Sequence, residues 1–171
     1  MADLSERVDG GLIAALTNNF GLWDVFEAGG VGLSALKLAR FEFDFDEEDH
    51  AAEPADNKDV GAHPVGVSLP QYAIIVGGFY DVNTAFDSGT DAATVAIHVE
   101  GANDILSALV VANAGLGTIG RKAIIPKFTT PESTSVKTTV ARAITVTVAE
   151  EALTAGKLTG YLYWLPGVKS E

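Results

Sequence analysis

From Ile144 to Pro166 the chain reads "ITVTVAEEALTAGKLTGYLYWLP", and its apolar residues recur at every second position. A period of two belongs to a pleated strand, where neighbouring side chains point to opposite faces, and not to a helix. Ile144, Val146 and Val148 fall on one face and Thr145 and Thr147 on the other. After "EEALTAG", a turn expected to close at Gly156, Leu158, Leu162 and Trp164 return along the same core. The stretch therefore predicts two strands joined as a hairpin, with Tyr161 and Tyr163 on the outer side of the last one.

The same signature appears near residue 40, where Phe41, Phe43 and Phe45 alternate with Glu42, Asp44 and Asp46. Three rings face a core there and three acids face water. "EEDHAAEPADNKDVGAHP" (47–64) reads as a long polar surface loop. "YAIIVGGFYDV" is apolar on both parities, which predicts a central strand with a bulge at Gly77 and Gly78. "NTAFDSGTDAA" reads as a turn-rich loop and "TVAIHV" as a strand. "NDILSALVVANAG" begins with Asn103 and Asp104 as cap residues and predicts one short helix. "RKAIIPKF" predicts an edge strand, because Pro126 cannot donate to a ladder. Further on, "SVKTTVARAITVTVA" puts Val136 and Val140 on the face of Ile144. Seven or so short strands with glycine-rich turns predict an all-β fold, an antiparallel jelly-roll-like β-sandwich over residues 36–171.

Residues 1–35 are patterned differently. Leu12, Ile13, Leu16, Phe20, Trp23 and Phe26 stand between glycine pairs that weaken any long helix, so an N-terminal arm is expected. Its apolar residues must be covered by its own domain or by a neighbour. At 171 residues the chain suits one domain, and 47% hydrophobic against 20% charged residues argues against wholesale disorder. The first residues lack the basic-then-apolar order of an export signal, and no apolar run reaches the roughly 18 residues of a membrane span. A soluble chain made in a cytoplasm is the expectation, with no membrane partner.

The net charge of −12 repels phosphate backbones and argues against nucleic acid as the main ligand. Nine acids and one base between Glu42 and Asp59 give that segment −8 of the total, whereas residues 105–149 hold five bases and Glu132 alone. The acidic run reads as a solubilising or subunit-facing patch. Its "DFDEEDH" lacks the turn glycine and the terminal glutamate of a calcium loop. His50 and His63, within the acidic loop, read as exposed, and His98 as a surface strand residue.

No cysteine is present, so disulfides and thiolate chemistry are out. Gly115, Gly117 and Gly120 follow no strand and open no helix, unlike a phosphate cradle, and no serine sits in a nucleophile elbow. No catalytic residue, metal ligand or cofactor is expected, and the chain is not read as an enzyme. Tyr161 and Tyr163 mark an interface, with protein or glycan as partner.

The segments Leu69-Pro70, "TAFDSGT" (84–90) and "LTAGK" (153–157), in that order between Ser68 and Pro166, resemble small virion proteins of tailed bacteriophages. The resemblance implies a capsid decoration, or cement, protein: a jelly-roll homo-oligomer, expected as a trimer, on the capsid surface of the virion. Its partners would be the major capsid protein and copies of itself, gripped through Leu12, Ile13, Leu16, Phe20, Trp23 and Phe26 of the arm and through Tyr161 and Tyr163. The other reading is a glycan- or receptor-binding head-fibre or tail component, with the two tyrosines or the loops on sugar.

Overall fold

The computed structural model describes residues 36–53, 55–126 and 135–168. These form eight strands: β1 (Lys37–Asp44), β2 (Gly61–Leu69), β3 (Ala73–Ser88), β4 (Thr94–His98), β5 (Leu106–Val110), β6 (Gly120–Ile124), β7 (Arg142–Ala149) and β8 (Leu153–Pro166). One sheet has the order β1-β8-β3-β6, the other β2-β7-β4-β5.

Four of the neighbour pairs, β1 with β8, β2 with β7, β3 with β6 and β4 with β5, are those of a single long ribbon doubled back at β4–β5. Rolling that ribbon brings β3 against β8 and β4 against β7, which closes two four-stranded sheets. This winding is the jelly roll, and the sandwich class expected from the alternation is the one found.

Both sheets turn their apolar parity inward. Phe41, Phe43, Ile75, Val82, Leu158 and Leu162 from one meet Leu69, Val95, Ile97, Ile144, Val146 and Val148 from the other, all at or near full burial. Each such side chain contributes about 1.5–3 kcal/mol by leaving water. Two glycines make room for rings. Gly160 lies directly under the Phe41 ring, where a Cβ would overlap it, and Gly156, at φ +144°, lies under Phe86. Phe86 in turn stacks on Phe43, with centroids 6.1 Å apart. Tyr80 is the one tyrosine turned inward, and its hydroxyl donates to the Gly115 carbonyl at 3.0 Å.

Several sequence expectations need correction. The last two strands are not a hairpin: β7 pairs with β2 and β4, whereas β8 pairs with β1 and β3. Their apolar faces meet across the core instead of their edges. The crossing is made at Glu150, whose φ of 68° turns the chain, and Gly156 lies inside β8 and not at the turn. Glu151 anchors this corner by accepting from the Ser88 hydroxyl at 2.7 Å and the Thr90 amide at 3.1 Å.

The short helix expected at 103–115 is absent, and the described residues contain no helix. Asp104 does act as a cap, but on a turn: its carboxylate accepts from the amides of Val99, Glu100 and Gly101, each at 2.9 Å. Asn103 there takes φ 59°, and β5 follows as an edge strand along β4.

The polar loop after β1 is shorter than its composition suggests, because β2 already begins at Gly61. Pro64 is accommodated in β2 since that strand is an edge, paired with β7 alone. "NTAFDS" continues β3, and the bulge expected at Gly77 is present as a register shift between Ile75 and Gly77. Val140 is exposed, outside β7. His63 is buried, not exposed.

Candidate interaction surface

The outward parity of the β1-β8-β3-β6 sheet gathers the tyrosines that the sequence singled out. Phe79 on β3 lies opposite Tyr161 on β8 and Ala123 on β6, while Gly77 lies opposite Tyr163. Cross-strand neighbours on one face come within contact distance. The rings of Phe79 and Tyr161 stack with centroids 4.6 Å apart at 22°, and Tyr163 tilts toward Phe79 at 6.2 Å. The Arg121 guanidinium stands over the Phe79 ring, 4.4 Å from its centroid. A row thus crosses the whole sheet, from Arg40 on β1, beside Tyr161 on β8, through Phe79 to Arg121 on β6.

Every charge on this row has a local partner of opposite sign. Arg121 grips Asp81 through two hydrogen bonds at 2.9 and 3.0 Å, and holds the Asp81 carboxyl below the usual carboxylate range. Arg40 pairs with Glu42, and Lys157 with Asp44 at 2.8 Å. The Tyr161 oxygen and the Glu42 carboxylate beside it hold the Arg40 guanidinium even more firmly protonated. These six side chains sum to zero on a chain whose net charge is −12.

Beside this row the face is apolar and open to solvent, while further along β3 it carries the exposed Asn83 and Asp87. Leu38 is 56% exposed, Val76 42% and Ile125, just beyond β6, 79%. Ile74 and Leu165, opposite each other, are half-buried between them. Arginine beside stacked aromatics, set among exposed aliphatics without net charge, is the composition of a protein-contact surface.

Of the residues expected to make contacts, Tyr161 and Tyr163 stand on this face. Leu12, Ile13, Leu16, Phe20, Trp23 and Phe26 lie outside the described residues. Arg40, Asp81 and Arg121 were not singled out by sequence. Their parity was legible, but the β1-β8-β3-β6 order that brings them together was not. Among the described residues no three histidine or acidic side chains gather into a metal-binding group, and no helix is long and apolar enough to cross a membrane.

No protein-family model matches the chain, and no curated protein matches it. Solved structures do. The fold is similar to a chain in the capsid asymmetric unit of cyanophage Pam1, with a TM-score of 0.50 and 22% identity, covering 77% of this chain and 85% of that one. It is similar to a chain in the capsid of Ralstonia phage GP4, with a TM-score of 0.51 and 17% identity over 78% and 86% of the two chains. A chain in the acid-stable capsid of Helicobacter pylori bacteriophage KHP30 gives 0.49 and 18% over 80% and 94%. The first two likenesses show that this sandwich has a fold found in phage capsids.

Proposed function

We propose that this chain is a structural component of a bacteriophage virion, a capsid decoration or cement protein that bridges neighbouring capsid subunits. The observation that carries the reading is the outer face of the β1-β8-β3-β6 sheet: exposed Leu38, Val76 and Ile125 around the Arg40–Tyr161–Phe79–Arg121 row, with all of its ion pairs closed internally. A face that is apolar and neutral loses little by being covered, because no charge is stripped of water without a partner. Similarity of fold to chains of two phage capsids supports the same reading.

On this reading the sandwich lies on the capsid surface against the major capsid protein, and copies of the chain associate, as a trimer. Residues 1–35 act as an arm whose apolar side chains reach a neighbouring subunit. The glycan-binding alternative is less well supported. Stacking on sugar needs a free aromatic face, and Tyr161, one of the two rings of that reading, is already stacked on Phe79.

The test is addition of the purified chain to undecorated capsids of its phage, followed by sedimentation and imaging. The full-length chain should bind in a fixed ratio, and a chain beginning at residue 36 should bind more weakly. A Tyr163→Asp variant that decorates capsids as well as the parent chain would remove the sheet face from the assignment.

A further inference from the structure

His63, on β2, has a side chain only 2% exposed. Its Nδ1 lies 3.2 Å from Oδ2 of Asp49, and its Nε2 lies 2.8 Å from the backbone carbonyl oxygen of Asp59. Both partners are acceptors. A neutral imidazole has one N–H and one lone pair, so it would leave a lone pair facing an oxygen inside the protein. Only the doubly protonated ring satisfies both contacts.

A proton on Asp49 would be the other solution, but the carboxylate is already fully engaged. Its Oδ1 accepts from the amides of Ala51 at 3.0 Å and Ala55 at 3.3 Å. Burial pushes the Asp49 carboxyl up, yet those two amides and His63 together bring it below its ordinary value. The carboxyl is therefore held toward its ionised form, beside a ring whose two nitrogens both face acceptors.

We propose that the His63 imidazolium is a latch that holds the acidic segment 45–60 against β2 and releases it as the pH rises. The described residues of the segment, 45–53 and 55–60, are folded onto each other and onto β2: Glu48 bridges to Asp56, and the His50 amide donates to the Pro64 carbonyl at 3.0 Å. Yet nine acids against one lysine crowd residues 42–59, and their repulsion opposes this folding. The segment also contains Asn57, whose buried Oδ1 has no hydrogen-bond partner among the described residues. A buried cation at the centre offsets that repulsion. Around the ring, β1 contributes Phe43, at 6.3 Å between centroids, and β7 contributes Val146. The titratable neighbours are Asp49, Asp59 through its carbonyl, and His50, whose ring lies over Gly66. When one proton leaves, Asp49 loses its counter-ion and one ring nitrogen meets an acceptor with a lone pair. The latch then opens from the segment's side while the sandwich stays closed.

The test uses the full-length chain labelled with 15N-histidine, followed by long-range proton–nitrogen spectra from about pH 5 to about pH 8, the range in which histidines titrate. At the acid end both His63 nitrogens should carry protons. As one is lost, the amides of Ala51, Ala55 and Asn57 should lose protection from exchange, by up to about tenfold per pH unit, the limit for one linked proton. Amides of β7 should not change. A single neutral tautomer at the acid end, or protection of the segment that stays level while the ring loses its proton, would overturn the proposal. Asp49→Asn should abolish the pH dependence; if that variant does not fold, the titration of the unaltered chain still decides.

Discussion

The two sheets of the sandwich turn the same inward face to one core and very different outward faces to the surroundings. On the β2-β7-β4-β5 sheet the outward rows carry small or polar residues, Ala62, Thr147 and Ala96 in one and Pro64, Thr145 and His98 in the next, with Val110 of β5 the exposed large aliphatic. Thr147 meets His98 at 3.3 Å, and beyond the strand end Arg142 is tied to Glu100 at 3.0 Å. On the β1-β8-β3-β6 sheet the equivalent positions carry stacked rings, exposed leucine, valine and isoleucine, and arginines. Strand formation requires neither choice, since threonine and tyrosine both suit a pleated surface. The fold does not impose the difference, and it marks the β1-β8-β3-β6 face as the one whose residues suit a protein contact.

The largest expected effect follows directly. If only one face is a contact surface, a carboxylate on it should abolish capsid binding and a carboxylate on the other should not. Val76→Asp with Tyr163→Asp should cost about 2–4 kcal/mol of binding, roughly thirtyfold to a thousandfold in affinity, as loss of a buried aromatic anchor does. Thr145→Asp, at the centre of the opposite sheet, should leave binding unchanged. Sedimentation of both variants with undecorated capsids would settle it, and equal losses from the two faces would erase the distinction. Thermal melts of the free variants separate binding loss from unfolding.

The second prediction concerns what the faces share. Gly160 lies in β8 beneath Phe41, so the β1-β8 contact closes only because no Cβ intervenes. Gly160→Ala should displace that ring and destabilise the fold by about 1–3 kcal/mol, the usual cost of overpacking. A urea titration that showed no loss would mean that β1 adjusts without strain.

These particulars also show what the sequence could and could not convey. Alternation at Phe41, Phe43, Ile144, Val146 and Val148 named the inward residues correctly, because side-chain period is a local property of the backbone. The bulge at Gly77 was legible for the same reason. Which strands lie side by side was not. Two amphipathic strands in succession have the same pattern whether they pair at their edges or stack face to face across a core, and β7 and β8 do the second. The acidic loop hid the start of β2, since Gly61, Pro64 and Gly66 look like turn residues until the strand is known to be an edge. His63 was lost with it. On the outer face of the β1-β8-β3-β6 sheet, Tyr161 and Tyr163 were found by parity, but Arg40, Asp81 and Arg121 come from β1, β3 and β6, and only sheet order makes them neighbours.

A third prediction sharpens the account of the ring cluster. Phe79 and Tyr161 stack at 4.6 Å, and such pairs contribute about 0.5–1.5 kcal/mol beyond the area they bury. A double-mutant cycle of Phe79→Ala and Tyr161→Ala, read by urea unfolding, should return a coupling in that range. A coupling of zero would mean that the rings lie side by side without holding each other, so that the face is not organised in advance of contact.

The smallest effect expected is on the ion pairs of that face, and it has a definite sign. The Asp81 carboxyl is held below its usual range by Arg121, so its folded-state value lies under its unfolded one. Such a group contributes stability that is present above the unfolded value, about pH 4, and is lost as the pH falls through the folded one. Arg121→Gln should therefore lower the urea midpoint slightly at neutral pH, and the gap to the parent chain should close as the pH is brought below about 4. Exposed pairs contribute little, and salt weakens them. Adding salt at neutral pH should narrow the gap as well. A gap that persisted in acid would show that Arg121 acts through its contact with the Phe79 ring, which needs no ionised Asp81, and would move the arginine from the charge balance of the face to its aromatic row.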